Sequence, residues 1–205
     1  EAVVRSLPAD RPLALVGYSL GANVMVKWLG ETALQDRVSA AVSVSNPFSL
    51  AHCCEVMISG PVSRLYGRYF LRNLQRDVER KKRWFRRTGE QRELERLEAL
   101  GDLGTLRHIR DFDDHVTAPL SGFADADDYY GKCSSDRFIG RVRVPLLVVH
   151  SDNDPIIPPA SIPALSGTPD NVVWDLHADG GHVGFAVAGH RCWLEQRIGD
   201  FLAVT

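Results

Sequence analysis

Gly17-Tyr18-Ser19-Leu20-Gly21 is the stretch that decides the fold of this chain. It follows an apolar run at residues 13–16 and opens a run with helical character at residues 22–29. This order predicts a strand, a sharp turn and a helix, with Ser19 at the apex of the turn. Glycines suit such a turn because the serine backbone is strained and side chains at positions 17 and 21 would collide with the helix or the strand.

A Gly-x-Ser-x-Gly turn in this setting is typical of the nucleophile elbow of an α/β-hydrolase. The Ser19 hydroxyl would then be exposed at the head of the helix. The backbone N–H of Leu20 would point to the place where an oxyanion forms. The alternative is a turn that contains Gly, Ser and Gly by chance, and the rest of the chain has to decide between the two.

The composition limits the classes of function. The 205 residues are 44% apolar and 24% charged, with a net charge of -2, which indicates one soluble globular domain with room for an inserted subdomain. The near-neutral charge argues against a nucleic-acid partner, and no apolar run approaches the ~18 residues of a membrane span. The four cysteines fit no zinc pattern, which favours reduced thiols in a cytoplasmic protein.

Apolar runs predict a parallel sheet that helices cover on both faces. Three runs are near-continuous and predict buried strands, and a fourth alternates more; they span residues 13–17, 40–45, 144–150 and 172–177. Helices are expected at residues 22–31 and 190–203. The sequence also opens within a predicted helix at residues 1–7 and has no initiator Met, so we expect residues upstream to be missing.

The middle of the chain, residues 46–143, is charged and helical and contains no convincing strand. We interpret it as a helical cap inserted into a core formed by residues 1–45 and 144–205. Arginines recur every four residues from Arg64 to Arg80, and a basic cluster follows at residues 80–87. A helix solvated on one face is the favoured interpretation, and peripheral contact with an anionic membrane is the alternative.

A serine nucleophile needs a base, and the base needs an orienting acid. In α/β-hydrolases the acid follows the serine in the chain, on a loop after a strand. Asp152 and Asp154 both follow the third predicted strand. We choose Asp154, because the rigid Asp-Pro-x-x-Pro turn could hold its carboxylate toward the site, and we interpret Asp152 as a turn residue.

The predicted base is His182, which follows the fourth predicted strand after Gly180 and Gly181. Two glycines let the backbone approach closely and present the imidazole. His150 and His177 stand at strand ends, where they could pack or bond locally. Ser19, Asp154 and His182 therefore occur in the order that the elbow requires, which favours a serine hydrolase over a chance turn.

Several runs resemble the YheT-like branch of the α/β-hydrolases, which includes abhydrolase-domain lipid esterases and medium-chain ester synthase/esterases. The runs begin at Gly17, Ser45, Asp111, Phe123, Asp154 and Gly180. The resemblance implies a charge-relay triad of Ser19, Asp154 and His182, and a carboxylic ester hydrolase acting on short- to medium-chain acyl or lipid esters. It also implies that about the first third of the usual domain is absent, including central strands of the sheet and the loop that supplies the second oxyanion donor. One edge of the sheet would then be exposed.

The acidic runs near Asp113, Asp114, Asp125, Asp127 and Asp128 could suggest a metal site. They have no EF-hand or two-metal pattern. We interpret them as helix caps and buried hydrogen-bond partners, with Asp125 capping the helix that carries Tyr129 and Tyr130. We therefore expect no metal and no cofactor.

Two alternatives to ester hydrolysis stay open at this point. An alcohol could outcompete water at the acyl-enzyme, which would make the protein an acyltransferase on the same triad. The chain could also be an incomplete fold that only binds a lipid or a partner, because loss of one oxyanion donor can cost about 10²–10³ in rate.

Overall fold

The computed structural model describes residues 1–165, 168–185 and 192–205. Its strands are β1 (Ala14–Tyr18), β2 (Ala40–Val44), β3 (Leu146–Ser151) and β4 (Val172–His177). Its α-helices are α1 (Ala2–Ser6), α2 (Leu20–Glu31), α3 (Leu50–Ser59), α4 (Pro61–Thr88), α5 (Gln91–Glu98), α6 (Ile109–Phe112), α7 (Ala118–Ser121), α8 (Ala126–Cys133) and α9 (Trp193–Ala203). His190, the predicted start of the last helix, lies outside the described residues.

The strands of the described residues form one parallel sheet in the order β1-β2-β3-β4. The register pairs Val16 with Val42, and Val42 with Leu147. Since parallel strands end at the same edge of a sheet, the loops after β1, β3 and β4 begin side by side. The predicted parallel α/β fold is confirmed.

Helices cover both faces of the sheet, as the apolar runs predict. On one face α2 packs Val26 and Leu29 against alternate residues of β2 and β3, such as Ala41 and Leu146. On the other face α9 packs its apolar residues Leu194, Ile198 and Phe201 against the intervening strand residues. Because β2 and β3 are covered on both sides, all of their residues are buried.

The interpretation of residues 13–17 as a buried strand is wrong for β1. Among the described residues β1 pairs with β2 alone, and Val16 and Tyr18 are 40% and 44% exposed. The apolar run is that of an inner strand, but one edge and part of one face of β1 are open to solvent, which agrees with the exposed edge that the resemblance implies.

The chain divides into two compact units, of which one is Glu1–Cys53 with Cys133–Thr205 and the other is Cys54–Lys132. The first contains the sheet. The second is helical and contains fewer residues than the predicted insertion at residues 46–143. The two ends of that insertion, residues 46–53 and 133–143, belong to the first unit. There the Leu50 N–H donates to Ser134 Oγ, and Asn23 Nδ2 donates to the Cys133 carbonyl.

The helical unit has its own apolar core. Leu71 and Val78 of α4 pack with Leu97 of α5 and with Phe112 at the end of α6. In the described part of the chain, none of the helices combines the length and the apolar character that crossing a membrane requires.

Candidate active site

Ser19 occupies a strained turn between β1 and α2. Its backbone has φ 51° and ψ -128°, in a region that residues other than glycine rarely adopt. The Ser19 N–H donates to the Val44 carbonyl over 2.9 Å, and the Ser19 carbonyl accepts from the N–H of Ala22, also over 2.9 Å. The neighbouring strand and the first helical turn therefore hold the serine in this conformation.

The two glycines of the elbow are not equivalent. A Cβ at Gly17 would lie 2.6 Å from the Cα of Ala22, so this position has no room for a side chain. A Cβ at Gly21 would meet nothing within 4 Å. The expectation of a collision is therefore right for Gly17 and wrong for Gly21.

His182 follows β4 in a tight turn that Gly180 and Gly181 make possible. A Cβ at Gly180 would lie 2.7 Å from the Phe185 ring, and Gly181 has a positive φ of 64°. Two hydroxyls hold this turn, one from the last residue of β3 and one from the residue that follows β2. Ser151 Oγ donates to the Gly181 carbonyl over 2.6 Å, and Ser45 Oγ donates to the His182 carbonyl.

Asp154 is buried, and both oxygens of its carboxylate have hydrogen-bond partners. Its Oδ1 accepts from the N–H groups of Ile156 and Ile157 over 2.8 and 3.0 Å. Its Oδ2 lies 2.8 Å from Nδ1 of His182. Asp152, the other candidate acid, is exposed, and its backbone N–H donates to the His177 carbonyl.

The structure brings Ser19, His182 and Asp154 together in one hydrogen-bonded chain. Nε2 of His182 lies 2.9 Å from Oγ of Ser19, and Nδ1 of the same ring faces Asp154. An Nδ1–H held by the carboxylate leaves Nε2 as an acceptor for the serine proton. Leu20 is the first residue of α2, so its N–H has no acceptor within the helix.

Asn153 links two loops of the site, a role that the sequence did not predict. Its Oδ1 accepts from the N–H groups of Gly180 and Gly181 over 3.1 and 2.8 Å, and its Nδ2 donates to Asp179 over 2.9 Å. This side chain ties the loop that carries Asp154 to the turn that carries His182. The position of Asn153 between the two candidate acids could have indicated this role. The positions of Ser45 and Ser151 at strand ends could likewise have indicated that they contact the site.

His150 lies beneath this site at the end of β3. It is 1% exposed, so its ring is shielded from water. Burial lowers the pKa of His150, and the charges of Asp154 and Asp152 oppose that shift without cancelling it. The imidazole is therefore held neutral next to the hydrogen-bonded chain.

The acidic runs have structural partners. Asp113 accepts from the Tyr130 hydroxyl and from Thr117 Oγ1, and burial raises the pKa of its carboxyl. Asp125 Oδ1 accepts from the Asp128 N–H at the start of α8, as the capping prediction requires. Within the described ranges no group of three or more His, Cys, Asp or Glu residues could hold a metal ion.

Comparison with known proteins gives the family. Residues 1–188 match the model of the α/β hydrolase fold family. The chain belongs to the α/β-hydrolase family. This α/β-hydrolase aligns with the Escherichia coli protein YheT, which is named as an esterase, at 39% identity over 93% of the chain and 55% of the relative. It also aligns with the monoacylglycerol lipase of Saccharomyces cerevisiae at 31% identity over 95% of the chain and 43% of the relative.

The fold comparison agrees. A Pyrococcus furiosus esterase, Pf2001, superposes with a TM-score of 0.52 at 14% identity, over 98% of this α/β-hydrolase and 58% of the esterase. The predicted membership of this family, with YheT among its relatives, is confirmed. The chain spans about half the length of the curated relatives that it matches.

Proposed function

We propose that this α/β-hydrolase is a serine hydrolase that cleaves carboxylic esters, either of short- to medium-chain acids or of lipids. One observation carries the proposal: His182 lies within hydrogen-bond distance of both Ser19 Oγ and Asp154 Oδ2. The names of two relatives, an esterase and a monoacylglycerol lipase, support esters as the substrate class.

In the proposed reaction the Ser19 hydroxyl attacks the ester carbonyl while Nε2 of His182 takes its proton. Asp154 holds the imidazole in the required tautomer and stabilises the imidazolium that forms. The tetrahedral oxyanion accepts a hydrogen bond from the Leu20 N–H. His182 then gives its proton to the leaving alcohol, and water releases the acid from the acyl-enzyme by the same steps.

The test is labelling with a fluorophosphonate probe, followed by hydrolysis of p-nitrophenyl esters of increasing acyl length. We expect labelling of the chain to disappear in Ser19→Ala and to persist in Ser121→Ala, which changes an exposed serine. Labelling that survives in Ser19→Ala contradicts the proposal. Product analysis with added ethanol distinguishes release of free acid from transfer to the alcohol.

A further inference from the structure

Helix α4 concentrates the positive charge of the chain. It carries ten of the 24 Lys and Arg residues and only two acidic residues, although the whole chain has a net charge of -2. Such an asymmetry creates a local positive potential that the overall charge does not reveal.

The two faces of α4 are distinct in character. One face packs Leu71, Leu74, Val78 and Phe85 into the core of the helical unit. At 3.6 residues per turn, the opposite face is formed by residues that are all exposed. These are Val62, Leu65, Tyr69, Arg72, Arg76, Arg80, Arg83 and Arg87, which we call the outer stripe.

The outer stripe is apolar at its start and basic along the rest. Val62, Leu65 and Tyr69 are 56%, 69% and 61% exposed. Arg80 pairs with Asp77, whereas the other four arginines of the stripe form no ion pair with any described residue. Within this part of the chain, these four guanidinium groups therefore have no carboxylate at ion-pair distance.

The basic residues of the cluster at 80–87 do not all lie on one face of α4. Lys82 is buried and donates to Glu79 over 2.8 Å. Lys81 lies more than a quarter turn away from the outer stripe. The surface that can meet a partner follows the outer stripe through most of the length of α4 instead.

We propose that the outer stripe docks on an anionic lipid surface. Exposed arginines bind the phosphate groups of anionic lipids, and each basic residue near such a surface adds to the affinity. Val62, Leu65 and Tyr69 supply apolar side chains that can enter the boundary between headgroups and acyl chains. A nucleic acid would use the arginines, but it offers no apolar phase to the exposed Val62 and Leu65, so the lipid is the better match.

Docking on a lipid surface does not require ester hydrolysis, so a binding experiment tests it. The purified chain, carrying Ser19→Ala, is sedimented with vesicles of phosphatidylcholine alone and with vesicles of equal parts phosphatidylcholine and phosphatidylglycerol. We expect binding to the anionic vesicles only, and weaker binding as salt is raised. The triple variant Arg76→Glu/Arg80→Glu/Arg83→Glu should lower the partition coefficient on the order of 100-fold.

The matched control is Arg11→Glu/Arg92→Glu/Arg107→Glu, which makes the same change in net charge at exposed arginines outside α4. It should bind as the parent does. A second variant, Leu65→Ser/Tyr69→Ser, should weaken the binding that remains at high salt, and circular dichroism checks that each variant is folded. Equal loss in both triple variants, binding to both kinds of vesicle, or tighter binding to duplex DNA than to the anionic vesicles would overturn the proposal.

Discussion

Ser19 Oγ and His182 Nε2 lie 2.9 Å apart, although 163 positions separate the two residues in the chain. The contact forms because β1 and β4 are parallel strands of one sheet, so the loops at their carboxyl ends share an edge. Ser19 is held in a strained turn by backbone hydrogen bonds, and His182 in a glycine turn by hydrogen bonds with the side chains of Ser45, Ser151 and Asn153.

Asp154→Asn tests the negative charge of the Asp154 carboxylate, because the amide has nearly the same shape. The amide can keep the contacts with the N–H groups of Ile156 and Ile157, but its NH₂ group would face Nδ1 of His182. That contact favours the tautomer with the proton on Nε2, where it cannot accept the serine proton. We expect the rate of fluorophosphonate labelling to fall on the order of 10⁴-fold.

Asp152→Asn is the matched control, because Asp152 is exposed and two positions away. Its labelling rate should equal that of the parent chain. If Asp152→Asn lost activity and Asp154→Asn retained it, the choice between the two acids would be wrong.

Gly17→Ala and Gly21→Ala should differ, although the elbow motif treats both positions alike. The new methyl group at position 17 would lie 2.6 Å from backbone Cα of Ala22, whereas the one at position 21 would meet open space. We expect Gly17→Ala to lower the free energy of unfolding by about 1–3 kcal/mol. Gly21→Ala should leave it nearly unchanged, as urea denaturation would measure.

The sequence predicts the sheet and the candidate site because both depend on local patterns. Apolar runs mark β2 and β3, and the turns that carry Ser19 and His182 contain the glycines that their backbones need. The apolar run alone does not predict the exposure of β1, since burial depends on neighbouring strands, and only the resemblance implies an exposed edge of the sheet. The contacts of Asn153 were equally inaccessible, because its partners lie 27 and 28 positions away.

Asn153→Ala should reduce the labelling rate without removing any group of the proposed triad. The variant leaves the N–H groups of Gly180 and Gly181 without their acceptor, so the turn that carries His182 loses its tie to the Asp154 loop. A displacement of about 1 Å at a reacting group can cost up to about 100-fold in rate. We expect a fall within that range, with a small change in the urea midpoint.

A paired exchange tests whether this effect comes from positioning. Asn153→Asp keeps the Oδ1 acceptor but places a carboxylate against Asp179, which now accepts from Asn153 Nδ2. Adding Asp179→Asn restores a donor at that contact. The double variant should recover most of the labelling rate that Asn153→Asp loses, and an absence of recovery would assign Asn153 a purely structural role.

His150 should make the stability of the sheet-bearing unit depend on pH. Burial lowers the pKa of its imidazole below the ordinary value of 6.5, against the opposing charges of Asp154 and Asp152. In the window between the lowered pKa and 6.5, the unfolded chain binds a proton that the folded chain does not bind. Stability should therefore fall as pH falls below 6.5, and His150 should contribute no pH dependence well above that value.

His150→Leu removes this titration and should flatten the dependence by at most about 1.4 kcal/mol per pH unit. The slope decides the prediction, because the substitution also changes packing and so shifts stability by an amount that does not depend on pH. His52→Gln, a change at a half-buried histidine of the same unit, is the control. Urea unfolding at several pH values gives the slopes, and an equal slope in His150→Leu and the parent would show that the buried imidazole does not drive the loss of stability.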